Sequence, residues 1–290
     1  MPAGSRQSIL ASLEYGENAS RIAMSLAPSL PFDPGDLLDG TAAAVHASGS
    51  IIREHWYQPR DIQHKGRIDL VTATDLAVEK DLTARLKQLL PQAELLAEET
   101  ASQDKQAEWL WVIDPLDGTT NFAHSIPMVA VSVALWHRQA PVLGIVSLPM
   151  LEETFQAISG KGAWLNGQPI QVSPQDDLEQ SLVATGFPYD ITERIDQVMP
   201  PLHRVLTHCR GLRRMGAAAV DLAYTACGRF EGFFETGLKP WDTAAGWLLV
   251  EEAGGTVSRY DAVTPHSLNA PDILATNGRI HTSLSALLQT

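Results

Sequence analysis

The sequence predicts a mixed α+β fold in which helices pack between two sheets. Three observations carry this: two helical periodicities near the start, a block of short β-rich runs over residues 109–158, and a later return to helices separated by single strands. Ahead of these elements, residues 1–33 mix Ser, Ala, Arg and Pro with Glu14, Glu17 and Asp33. Transit peptides are poor in acids and secretory signals carry a compact apolar stretch. An N-terminal arm, loosely ordered or forming an extra helix, is therefore expected before one domain over residues 34–290.

From Asp36, read as a cap, Leu37, Leu38, Val45, Ile51, Ile52 and Trp56 form a helical face. Thr74 and Asp75 read as the cap of a second helix with Leu76, Leu82, Leu86 and Leu89 inside. The runs 109–113, 129–136, 142–148 and 154–158 are broken by Pro or Gly and predict a largely antiparallel sheet. A hairpin-type loop follows over 160–167. Beyond a strand at 182–184 the pattern gives helices over 192–208 and 216–229 and a strand over 230–234. A helix over 241–253, a strand near 273–275 and a final helix complete the chain.

With 290 residues and 44% hydrophobic content, the chain can bury a sizeable core. Its formal charge of −13 argues against a non-specific nucleic-acid binder or a basic membrane-surface protein. No run of apolar residues is long enough to span a bilayer. Cys209 and Cys227 lack metal-type spacing, so a reducing cytoplasm is the simpler location.

Chemistry concentrates in Trp111-Val112-Ile113-Asp114-Pro115-Leu116-Asp117-Gly118-Thr119-Thr120-Asn121-Phe122. Pro115 has no N–H and is expected to end the strand with Asp114 at its mouth. Leu116 then lies in a turn with its carbonyl free to bind a cation. Asp114 and Asp117 present hard oxygen ligands to one pocket, which favours magnesium. Gly118, Thr119 and Thr120 offer successive N–H donors to an anion. Alone, the segment reads equally well as a surface Asx turn with a helix cap. Two further acidic clusters weigh against that reading: Glu98-Glu99 after an apolar strand end, and Asp242 near the start of a helix.

These residues carry a resemblance to the inositol monophosphatase family of magnesium-dependent, lithium-sensitive phosphatases, in its bacterial form. The matching features are Asp69-Leu70-Val71-Thr72-Ala73-Thr74-Asp75, Ala97-Glu98-Glu99, the segment from Asp114 to Phe122, Gly160-Lys161-Gly162-Ala163-Trp164-Leu165-Asn166-Gly167, Met215-Gly216-Ala217-Ala218-Ala219, Trp241-Asp242, and Glu251-Glu252-Ala253-Gly254-Gly255. The resemblance implies a layered αβαβα sandwich with the site between its halves, and a homodimer.

It also implies two magnesium ions, with a third weaker one near the glutamate pair. Glu98, Asp114 and the Leu116 carbonyl would hold one ion, and Asp114, Asp117 and Asp242 a second. Thr119, oriented by Asp75, would hydrogen-bond the attacking water, and Glu98 would help accept its proton. The Gly118 and Thr119 amides would hold the phosphate, with Asp117, Thr120 and Asp242 beside it. Gly216, Ala218 and Glu235 would face a small phosphorylated polyol such as inositol 1-phosphate. Ala217 stands where some relatives carry threonine, which removes one hydroxyl contact. Lys65 lies where relatives often place a lysine near the metals. Thr185-Gly186-Phe187-Pro188-Tyr189-Asp190 suggests an aromatic rim. Histidinol phosphatase, fructose-1,6-bisphosphatase and 3′-phosphoadenosine phosphatase activities occur on related scaffolds, and some bacterial relatives regulate transcription. Neither nucleic acid nor membrane is an expected partner.

Overall fold

A computed structural model describes residues 33–58, 62–64, 70–100 and 107–289. Lys65, Asp69 and nearly all of the N-terminal arm lie outside the described residues. Helix α1 (Pro34–His55) starts three residues earlier than expected, because Asp33 rather than Asp36 caps it by accepting a 2.8 Å hydrogen bond from the Gly35 amide. Helix α2 (Ala73–Leu89) is capped by Thr72, with Asp75 reaching back to the Thr72 amide from the third helical position. Its Leu82 and Leu86 are fully buried, but Leu76 is 49% exposed and does not belong to the inner face.

A short pair, β1 (Ile62–His64) and β2 (Leu70–Thr72), runs antiparallel. The main sheet has seven strands in sequential order: β3 (Glu94–Ala97), β4 (Trp109–Asp117), β5 (Ala130–His137), β6 (Ala140–Leu148), β7 (Glu153–Ile158), β8 (Gly162–Leu165) and β9 (Gln168–Pro169). Only β3 and β4 pair in parallel; the remaining pairs are antiparallel. The stretch read as a loop over 160–167 thus contains β8, whose Ala163 is buried against the middle layer.

The second sheet holds five strands in the order β11 (Gly211–Arg213), β10 (Leu182–Thr185), β12 (Gly232–Thr236), β14 (Asp272–Thr276) and β13 (Thr256–Ser258). The edge strands β11 and β13 were not expected, since three residues are too few to show a period.

The core clusters define the layers. Trp111, Ile113, Val131, Val133, Leu143 and Ile145 of the large sheet pack with Val45 and Ile52 of α1 and Leu82 and Leu86 of α2. The opposite face, with Val112, Ala134, Val146 and Phe155, packs against α5 (Ala218–Ala226) and α6 (Pro240–Glu252). Those two helices also meet Ala184, Phe233 and Ala275 of the smaller sheet. On the outer side, Val205 of α4 (Ile191–His208) and Leu284 and Leu288 of α7 (His281–Leu288) cover Val183, Phe234 and Leu274. The result is the expected αβαβα sandwich. Each fully buried aliphatic or aromatic side chain contributes about 1.5–3 kcal/mol to it.

Pro115 does not end β4. Asp114 pairs with Ser132 and Asp117 with Ala130, so Pro115 and Leu116 together oppose one residue, Val131. This bulge matters because residues three apart on a regular strand face opposite sides. Ser132 and Ala130 share a face, and the extra residue therefore brings Asp114 and Asp117 to the same side. Leu116 is turned into the core beneath α1 and α2, fully buried.

Candidate active site

The bulge projects Asp114 and Asp117 toward the middle layer. Glu98 follows β3 and donates its amide to the Ile113 carbonyl at 3.2 Å, which places it beside Asp114. Asp242 is the third residue of α6 and accepts a 2.6 Å hydrogen bond from the Lys239 amide. Asp242 thus reaches back to Lys239, which is the N-cap; it does not cap the helix itself. The four carboxylates sense one another: Asp114 is held well above the ordinary carboxylate range, first by burial and then by the charges of Glu98, Asp117 and Asp242. Asp117 is pushed up to about 7, mainly by burial; the Ala219 amide, 2.7 Å from its Oδ2, pulls the other way.

The residues present fit a divalent cation. They are hard oxygen donors, and the charges that act most on buried Asp114 are all carboxylates. Among the described residues no three acidic, His or Cys side chains close on one point as a finished coordination cage. The site is instead an open acidic cluster whose repulsion a cation would relieve.

Thr119 joins two elements. Its hydroxyl lies 3.0 Å from Asp75 Oδ1 and 3.1 Å from the Leu116 carbonyl, and its single proton serves one of them at a time. Asp75 is fully buried, and its other oxygen accepts from both the amide and hydroxyl of Thr72. Burial pushes this carboxyl up, and the hydrogen bonds oppose that. Gly118 adopts φ +89° before α3 (Thr119–Ala123), where a Cβ would come 2.8 Å from the Met128 carbonyl.

In front of the cluster lies a cleft of about 210 Å³. Every expected substrate contact lines it: Asp117, Gly118, Thr119, Thr120, Gly216, Ala218, Glu235 and Asp242. Glu98, Asp114, Leu116 and Asp75 are not among its lining residues. Two larger hollows, of 650 and 570 Å³, contain none of these residues; the first is walled by Arg210, Arg213 and Arg229 and the second by Trp136, Trp247 and His266. Phe187 and Tyr189 line the cleft mouth as the aromatic rim, with Tyr189 63% exposed.

Sequence reasoning missed Gly186, Arg214 and Asp221. The Arg214 guanidinium lies 5.7 Å over the Phe187 ring, and its charge opposes the rise at Glu235 and Asp221. Both carboxyls are raised well above their ordinary values, by burial first. An acid within the otherwise apolar helix Ala218–Ala226 was the available signal for Asp221.

Comparison with known proteins agrees with this geometry. The sequence model of the inositol monophosphatase family matches residues 35–290. An inositol-1-monophosphatase from Synechocystis is 43% identical over 270 residues, covering 91% of this chain and 94% of that protein. The structure of inositol monophosphatase from Anabaena superposes with a TM-score of 0.80 at 38% identity, covering 89% of this chain and 96% of the other. The Nus factor SuhB of Escherichia coli is 38% identical over 247 residues, covering 84% and 92% respectively. From the bulged pair of aspartates to the match over 35–290, the observations agree that the chain belongs to the inositol monophosphatase family.

Proposed function

We propose that the protein is a magnesium-dependent phosphomonoesterase that hydrolyses inositol 1-phosphate or a similar small polyol phosphate. The observation that carries this reading is that the Gly118–Thr120 turn and the carboxylate Glu235 line one and the same cleft. Glu98, Asp114 and the Leu116 carbonyl would hold one ion, Asp114, Asp117 and Asp242 would hold a second, and the glutamate pair would be the place for a weaker third. Magnesium, when bound, neutralises phosphoryl oxygens and lowers the pKa of water.

The protein's own groups do the positioning. Thr119, hydrogen-bonded by Asp75, orients the attacking water, and Glu98 accepts its proton. The Gly118 and Thr119 amides hold the phosphate. Glu235 accepts hydroxyl hydrogen bonds from the polyol, and Gly216 and Ala218 pack along it. Asp117 accepts from the Ala219 amide at Oδ2, and the Ala218 and Gly118 amides also hydrogen-bond its carboxylate, which fixes how it faces the cluster.

Lithium inhibition and a homodimer belong to the same reading. Lithium in such an oxygen-lined site would bring half the charge of magnesium, and would occupy it without supplying the charge the reaction needs. Exposed Ile195, Met199 and Leu206 on α4 give a second copy apolar surface to cover. No helix among the described residues is long and apolar enough to cross a membrane, in keeping with a cytoplasmic enzyme.

A phosphate-release screen with magnesium tests the substrate, using inositol 1-phosphate, histidinol phosphate, fructose 1,6-bisphosphate and 3′-phosphoadenosine 5′-phosphate. Inositol 1-phosphate should give the highest kcat/KM, and lithium, but not sodium or potassium, should inhibit. Preference for the nucleotide would overturn the polyol reading. The resemblance to a Nus factor supplies a second reading, a regulatory protein. Recovery of RNA polymerase with the protein, and a phenotype unaffected by Asp114→Asn, would favour it.

A further inference from the structure

The metal-side turn and the substrate-facing segment belong to different parts of the chain, and hydrogen bonds through two side chains join them. One runs from the Ala219 amide to Asp117, whose carboxylate is also a proposed metal ligand. The other involves Asn121, which is 6% exposed in α3. Its Nδ2 donates to the Met128 carbonyl at 2.7 Å and to the Met215 carbonyl at 2.8 Å. A primary amide has two N–H protons, and both partners are acceptors, so both protons are used and the orientation of the amide is fixed.

Packing places this amide between the turn and the segment. A Cβ on Gly118 would lie 3.5 Å from Asn121 Nδ2 and 3.3 Å from the Ala217 Cβ. A Cβ on Gly216 would lie 3.2 Å from the same Nδ2 and 3.3 Å from Oδ1. Both glycines that flank the cleft are thus in near contact with one side chain. Gly216 itself has φ +84°, and the carbonyl preceding it is the one Asn121 holds.

We infer that Asn121 is a positioning residue that sets the distance between the phosphate-holding turn at Gly118 and the polyol-facing segment at Gly216, by a link that needs no metal ion. Asp117 is shared between backbone amides and a cation, whereas Asn121 touches neither cation nor substrate. Its loss should leave magnesium binding alone and separate the two halves of the substrate. The kinetic part of this inference rests on the proposed phosphatase reading.

The test compares Asn121→Asp and Asn121→Ser with the full-length wild type. Asp is isosteric, loses both donors and sets a carboxylate against two carbonyls; Ser retains one donor. Kinetics are measured on inositol 1-phosphate and on p-nitrophenyl phosphate, which lacks the polyol. The kcat/KM for inositol 1-phosphate should fall about 100-fold in Asn121→Asp, the scale of a small misplacement of reacting groups. The fall should be smaller in Asn121→Ser and at most about fivefold on p-nitrophenyl phosphate, the scale of one neutral hydrogen bond. The magnesium concentration for half activity should stay within about twofold, a bound set by the same small scale. Equal losses on both substrates, or a large magnesium shift, would overturn the inference.

Amide hydrogen exchange over residues 215–219, followed without substrate, gives a readout independent of turnover. Faster exchange in Asn121→Asp at unchanged global melting supports the link, and unchanged exchange refutes it. If wild type releases phosphate from neither substrate, the phosphatase reading fails, and the exchange result still decides the role of Asn121.

Discussion

The Glu235 carboxylate occupies the space that a side chain on Gly186 would need: a Cβ built there would collide with Glu235 Cδ and both of its oxygens. Gly186 is required by this neighbour, since its φ lies outside the left-handed region. Gly186→Ala should therefore displace Glu235 without straining the backbone. Losing a hydrogen bond to a charged group costs about 1.5–3 kcal/mol, so kcat/KM for inositol 1-phosphate should fall roughly 10–100-fold. Glu235→Gln should act in the same direction, and neither change should raise the magnesium requirement. A large loss of magnesium affinity in Glu235→Gln would move Glu235 into the metal shell.

Asp114→Asn should abolish turnover at ordinary magnesium and leave the protein folded. Although Asp114 is buried, the substitution keeps the oxygen that accepts the Leu116 amide at 3.0 Å and removes a charge repelled by Glu98, Asp117 and Asp242. Its metal-free melting temperature should equal or exceed that of wild type near pH 7. Near-normal phosphate release by this variant would overturn the metal assignment.

Magnesium and pH should be coupled through the same cluster. Asp117 is raised from 3.8 to about 7, so the folded protein holds a proton that the unfolded chain releases. That contribution is fully present below about pH 4 and is lost as pH rises toward 7. In chelator, denaturant titrations should show stability falling across this window. A cation at about 100 times its Kd adds about 2.7 kcal/mol, so saturating magnesium should flatten the trend toward pH 7. A cation-independent pH profile would contradict the cluster's role.

His281 should have the opposite sign. Its ring bridges Ser258 at 2.8 Å and Thr276 at 2.9 Å, and burial lowers its pKa to about 4. Between pH 6.5 and about 4 the unfolded chain takes up a proton that the folded one refuses, so stability falls as pH falls. With magnesium present throughout, His281→Gln should be less stable than wild type at pH 7 and show a shallower acid decline. An unchanged decline would place the acid sensitivity elsewhere.

Removal of residues 1–32 should leave phosphatase activity intact, because every proposed ligand lies later. Extending the deletion through Asp33 should lower the melting temperature, since Asp33 caps α1 and pairs with Lys161 at 2.7 Å. An inactive but folded 1–32 deletion would show that the arm completes the site or a dimer.

Much of this architecture was legible because its longer elements are apolar runs of the right length, bounded by Pro, Gly or polar residues. The runs behind β4 to β7 and the helices α4 and α6 lie close to those bounds. The shorter pieces were not, since β11 and β13 are defined by partners distant in sequence. The site was legible where a motif is contiguous, as from Asp114 to Thr120. Arg214, Asp221 and Gly186 act through neighbours from other elements, and local sequence does not show those neighbours. Leu76 misled for the converse reason: it is apolar but lies off the inner face, and its neighbours Asp75, Val78 and Glu79 occupy the buried side at that end of α2.

The bulge at Pro115 and Leu116 has a consequence for insertions and deletions. A sheet alternates its side chains in twos, while these two ligands are spaced by three, and one surplus residue reconciles the counts. Deleting either Pro115 or Leu116 would leave all four acids in the chain, yet close the ligands to a spacing of two. Their side would then be preserved, but the slack that lets the chain step outward between them would vanish. Inserting one residue, to a spacing of four, would likewise keep their side in a regular strand but carry Asp117 a further pair along it, away from Asp114. The chain would still carry every residue that a motif search counts, in a protein unable to gather them.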